Sequence, residues 1–131
     1  MKREVQNSNQ ESSDQPNSPL LTYNFPSLIQ QMKQEGSWEK SGRSAKTLYK
    51  ADAMRIVLNT MKAGTEIKTH QANGPISVQV IEGQLKFSTE KESQVLNKGE
   101  MLTLQPHIRH SVEAIEETAF LLTIGTSGNL S

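Results

Sequence analysis

The sequence predicts an all-β sandwich or barrel preceded by a short helix. Three observations carry that expectation. From about Lys46 onward the chain divides into short runs rich in alternating and β-branched residues. Turn signals separate them: Ala63-Gly64, Asn73-Gly74-Pro75, Glu82-Gly83, Glu90 to Glu92, Lys98-Gly99, Gln105-Pro106 and Glu116-Glu117. No helical pattern lies between the runs, which disfavours alternating strand–helix folds.

Taken in order, residues 1–19 (MKREVQNSNQESSDQPNSP) are rich in Ser, Asn, Gln and Pro. Val5 is their one large aliphatic residue after Met1, so the segment cannot bury enough surface to fold and reads as a disordered tail. The folded unit is expected over 20–131, and a chain of 131 residues suits one domain. FPSLIQQMKQEG reads as a short helix, with Ser27 as cap, Leu28, Ile29 and Met32 on its apolar side, and Gly36 as its stop. Trp38, the single tryptophan, follows in a polar stretch and reads as a packing anchor.

The expected strands are KTLYK (46–50), MRIVLNTM (54–61), EIKTH (66–70), ISVQVIE (76–82), QLKFS (84–88), SQVLN (93–97), EMLTL (100–104), HSVEAI (110–115) and TAFLLTIG (118–125). Alternation places Ile76, Val78 and Val80 on one face and Ser77 and Gln79 on the other. The first face reads as core or as the apolar wall of a pocket. Arg55 and Lys86 are expected on the solvent side.

Composition narrows the function classes. Fourteen basic and fourteen acidic residues give a net charge of zero, with no basic run, so no nucleic-acid partner is expected. The absence of cysteine rules out disulfides, thiolate zinc sites and cysteine nucleophiles. No secretory h-region follows Lys2 and Arg3, and no apolar run approaches the ~20 residues of a membrane helix. A cytoplasmic location without membrane contact is the expectation. No Ser-His-Asp order, phosphate-cradling glycine loop or carboxylate pair stands out.

The chemistry-bearing residues are His70, His107 and His110. His70 ends one expected strand, and the others flank a turn some forty residues later. Only a closed β-fold could unite them. Imidazole is a common ligand for zinc, iron, copper and nickel, but an open catalytic centre uses about three protein ligands.

These residues fall in two stretches that resemble the motifs of the cupin superfamily. Gly64 to Gly83 resembles the first, G-x5-H-x-H-x3,4-E-x6-G, and Gly99 to His110 the second, G-x5-P-x-G-x2-H-x3-N. The resemblance implies a cupin double-stranded β-helix, a small jelly-roll barrel, and a homodimer built through the sheets. Carried over position by position, its four metal ligands become His70, Ala72, Ile76 and His110. The proline is displaced to Pro106, His107 stands at the motif's glycine, and Ala114 replaces the asparagine. His107 reads as a turn residue.

The resulting expectation is a small-molecule-binding barrel with a degenerate metal site. His70, Ala72, Ile76, Val78 and His110 line its pocket, and His70 and His110 remain to hold a divalent ion of the Zn, Fe, Mn or Ni class. The alternative is a mononuclear metal-dependent cupin enzyme of oxygenase or isomerase type using the same two histidines. A third class is an interaction module whose barrel serves only as scaffold. The sequence leaves the ligand, and whether any reaction is catalysed, open.

Overall fold

The computed structural model describes residues 18–126. Most of the expected N-terminal tail therefore lies outside the described residues, as does the end of the chain beyond Thr126. Two short helices precede nine strands. Helix α1 spans Phe25–Met32 and α2 spans Gly36–Ser41. The strands are β1 (Arg43–Lys50), β2 (Met54–Met61), β3 (Glu66–His70), β4 (Ile76–Glu82), β5 (Gln84–Thr89), β6 (Ser93–Asn97), β7 (Met101–Leu104), β8 (His110–Ala114) and β9 (Thr118–Gly125). None of the described helices is long and apolar enough to cross a membrane.

The helical region differs from the sequence expectation in two places. Asn24, not Ser27, caps α1: its side-chain oxygen accepts the Ser27 backbone N–H at 2.9 Å. Pro26 fits the first turn, where its missing N–H has no intrahelical role. Gly36 does not stop α1, which ends at Met32, but opens α2. Trp38 lies on α2 and is buried, with the Lys62 ammonium 5.5 Å from its ring centroid. The packing role expected of Trp38 holds, on an element that the polar sequence GSWEKS concealed.

The strands form two antiparallel sheets, a five-stranded one in the order β1-β2-β9-β4-β7 and a four-stranded one in the order β3-β8-β5-β6. Short connections join the sheets at one end of the barrel, leading β2 into β3, β4 into β5, β6 into β7 and β8 into β9. Each such pair therefore faces across the interior. This is the closed end. The segments 51–53, 71–75, 90–92 and 105–109 lie at the other end, the mouth.

Both faces of the larger sheet are used. Inside, Met61, Val78, Val80, Leu85, Phe87, Val112 and Phe120 form the barrel core. Outside, Leu58 and Ala119 pack beneath Ile29 and Met32 of α1. Lys33, just past α1, pairs with Glu82 at 3.4 Å and Glu117 at 2.5 Å, fastening the helix to the closed end. Burial alone would lower the Lys33 pKa, but the hydrogen bond and charge of Glu117, with Glu82, raise it above its ordinary value.

Gly83 makes the one-residue link between β4 and β5 possible. Its φ is 92°, and a Cβ there would sit 2.2 Å from the Glu117 carbonyl oxygen. Only glycine meets both demands.

Candidate ligand site at the mouth of the barrel

Antiparallel pairing of β3 with β8 places His70 directly opposite His110. A register shift between Ile67 and His70 lies just before the pair. The two rings meet edge to face, with centroids 4.3 Å apart and planes at 62°. The spacing of the histidines in the sequence anticipated this pairing; the contact itself is a product of register. His110 is buried, whereas His70 is exposed at the rim.

Each ring is tethered in the same way. The Nδ1 of His70 lies 2.8 Å from the Lys68 carbonyl oxygen, and that of His110 lies 2.8 Å from the Ile108 carbonyl oxygen. A carbonyl only accepts, so each Nδ1 carries the proton and donates. In the neutral ring this leaves Nε2 as a free acceptor. His110 is held further by Phe87, stacked at 5.0 Å with planes 15° apart. Burial pushes the His110 pKa below its ordinary value. The Ile108 hydrogen bond works against that shift, and the neighbouring His70 adds to it.

The other predicted positions surround this pair in different ways. Ile76 and Val78 are buried in the core, and Ala72 packs half-buried against it. Ile76 sits in a row running across the larger sheet at the mouth: Lys50, Arg55, Ile124, Ile76 and Leu104. Because facing strands are the linked pairs, Arg55 on β2 stands across from His70 on β3. Ile124 on β9 likewise stands across from His110 on β8.

His107 is exposed and has φ 67°, the left-handed conformation that a glycine would adopt freely. The His107 N–H donates to the Ala72 carbonyl at 2.8 Å, tying segment 105–109 to segment 71–75. That second segment is seated on β9. The Gly125 N–H donates to the Pro75 carbonyl at 2.8 Å.

Sequence reasoning missed Phe87 as a neighbour of the pair, and Arg55 as a residue of the inward-facing row at the mouth. Phe87 alternates in step with Leu85, which was a usable signal. Arg55 is exposed, as expected, but shares its face with Val57 and Met61, and Met61 is core.

Comparison with solved structures identifies the architecture. Salicylate 1,2-dioxygenase from Pseudoaminobacter salicylatoxidans superposes with a TM-score of 0.73 at 20% identity, over 82% of this chain and 33% of the dioxygenase. A cupin-2 domain protein from Shewanella frigidimarina gives 0.64 at 18% identity, over 79% of this chain and 94% of that one. An RmlC-like cupin from Desulfovibrio desulfuricans gives 0.62 at 23% identity, over 70% and 90%. The chain has the cupin fold. By sequence, no family model and no curated protein matches it. The fold expected from strand pattern and motif spacing is thus the fold observed.

A cupin barrel raises the question of a metal, and the donor set answers it. Ala72 and Ile76 stand at two of the four positions that the resemblance assigns to ligands, and neither carries a donor side chain. Among the described residues, no group of three or more His, Asp or Glu side chains could hold a metal ion. Two neutral imidazoles fall short of the roughly three protein ligands of an open catalytic centre. The mouth of this barrel does not fit a resident metal centre.

Proposed function

We propose that this cupin binds a small organic molecule at the mouth of its barrel, with His70 and His110 as paired hydrogen-bonding groups. The observation that carries the reading is the tethered pair. Two rings are in contact, both have Nδ1 committed to backbone carbonyls, and both keep Nε2 free for a partner. A hydroxyl or amide N–H on the ligand would donate to Nε2. Ile124 and Leu104, both only partly buried, supply the apolar surface against which the ligand body loses water. Stacking on Phe87 keeps the His110 ring from rotating, so little orientational freedom is lost on binding.

Similarity to a salicylate dioxygenase does not make this chain an oxygenase, because one fold hosts many activities. One observation favours the alternative of a metal-dependent enzyme: a backbone carbonyl on Nδ1 is also how metal-ligating histidines are oriented. Metal analysis and binding together separate the two. Protein purified without a chelating tag should contain far less than one iron, zinc, manganese or nickel per chain. After treatment with EDTA, it should still show small hydroxyl- or amide-bearing fragments shifting the imidazole nitrogen resonances of His70 and His110. Stoichiometric metal lost on His70→Ala, or fragment binding that requires added metal, would overturn the proposal in favour of the enzyme.

A further inference from the structure

The mouth has a second chemical feature that the histidine motif does not account for. Cross-strand register sets Arg55 on the inward-facing row of the larger sheet, next to Ile124 and flanked by Lys50. Across the barrel from it stands His70. No ion pair of Arg55 or Lys50 is formed among the described residues. The nearest acid in the chain, Asp52, lies in the turn between them and accepts through its backbone carbonyl from the Thr126 hydroxyl.

Charge is also unevenly divided between the two ends of a chain whose net charge is zero. The mouth end carries Lys50, Arg55, Lys68, Lys91 and Arg109 against Asp52, Glu90 and Glu92. The closed end carries Glu66, Glu82, Glu100, Glu113, Glu116 and Glu117 against Lys33, Arg43, Lys62, Lys86 and Lys98. The excess of positive charge at the mouth draws anions toward it. An unpaired guanidinium beside apolar side chains suits a planar two-oxygen anion, which it can grip with two parallel hydrogen bonds.

We infer that the ligand is a small organic carboxylate, held with its anionic group on Arg55 and its apolar body along the partly buried Ile124. Its remaining polar group reaches the His70–His110 pair across the mouth. Lys50 adds attraction without a fixed geometry, as expected of a lysine at the edge of a site. This inference rests on the proposed binding at the mouth and adds the ligand's charge and orientation.

The test is calorimetric titration of metal-free protein with two matched series: 2-hydroxybenzoate and hexanoate, and their primary amides. The acids should bind at least tenfold more tightly than the amides. In Arg55→Gln that preference should disappear, and in Arg55→Lys it should survive in part. His70→Gln should weaken the hydroxylated acid more than hexanoate. Rising salt should weaken the acids and leave the amides unchanged. If acids and amides bind alike and both depend on His70, the carboxylate inference fails while binding at the mouth stands. If no member of either series binds, both fall. Arg55 is exposed, so loss of folding is not expected to confuse the result.

Discussion

At its closed end the barrel is fastened by short links, by the Gly83 turn pressed against Glu117, and by Lys33 held between two glutamates. At the mouth two connections, 71–75 and 105–109, run to five residues, a histidine adopts a left-handed backbone, and a buried imidazole leans on an exposed one. Although the buried Thr60 hydroxyl at the closed end has no partner among the described residues, other polar groups there are satisfied internally. Thr118 shows this well, since its hydroxyl donates to the Gln84 and Glu116 carbonyls and accepts the Gln84 N–H. The mouth instead leaves Nε2 of two rings and one guanidinium without partners among the described residues. The groups that the mouth leaves without protein partners are those that the proposed ligand would engage in place of water.

The largest effect should come from breaking the closed end. Gly83→Ala places a methyl group against the Glu117 backbone and demands a left-handed conformation. The expected cost is about 3 kcal/mol or more, a Tm fall of roughly 10 °C or more. Affinity at the mouth, measured on the fraction that remains folded, should be unchanged. His70→Gln should show the reverse pattern, with nearly unaltered Tm and weakened binding of the hydroxylated acid. If Gly83→Ala weakened binding as strongly as His70→Gln, the two ends would not be separable.

A smaller effect should appear on acidification, and its sign follows from His110. Unfolded, this histidine protonates near its ordinary value of about 6.5. Folded, burial holds it neutral to lower pH, and a charge on His70 would hold it lower still. Between those values the unfolded chain binds more protons, so stability rises with pH. The contribution is complete above about pH 6.5 and is lost as pH falls through the folded value. Urea midpoints from pH 7.5 down to 5 should fall for the natural protein and change less for His110→Gln. Equal slopes would show that His110 is not the acid-sensitive group. Ligand affinity should drop over the same range, because a protonated imidazole can no longer accept at Nε2.

How legible all this was depends on what each residue faces. β2, β3, β4, β6 and β9 begin and end where the turn residues placed them, because Gly, Pro and Asn punctuate those segments. β1 begins earlier, at Arg43, since RSA has no strand signature of its own and is drawn into pairing with Met61, Thr60 and Asn59. Helix α2 was hidden by its polar composition, for it is six residues long and buries only Trp38. The His70–His110 pair was visible through motif spacing. Arg55 was not, because MRIVLNTM buries both its faces, one toward the core and one toward α1. Alternation cannot say which face is inward when both are apolar, and only register with Ile124 decides it.

The smallest expected effect concerns His107 and sharpens where the site ends. Its left-handed backbone costs a non-glycine residue about 1–2 kcal/mol. Glycine would relieve that cost but restore freedom to the unfolded chain, worth roughly 0.4–1 kcal/mol the other way. His107→Gly should therefore stabilise the protein by no more than about 1.6 kcal/mol. The bond to Ala72 uses the backbone N–H and survives the change, so segments 71–75 and 105–109 should stay joined. If His107 only turns the chain, affinity for the carboxylate series will match that of the natural protein within experimental scatter. A tenfold loss with Tm maintained would instead make the His107 ring a ligand-contacting group and extend the site beyond the His70–His110 pair.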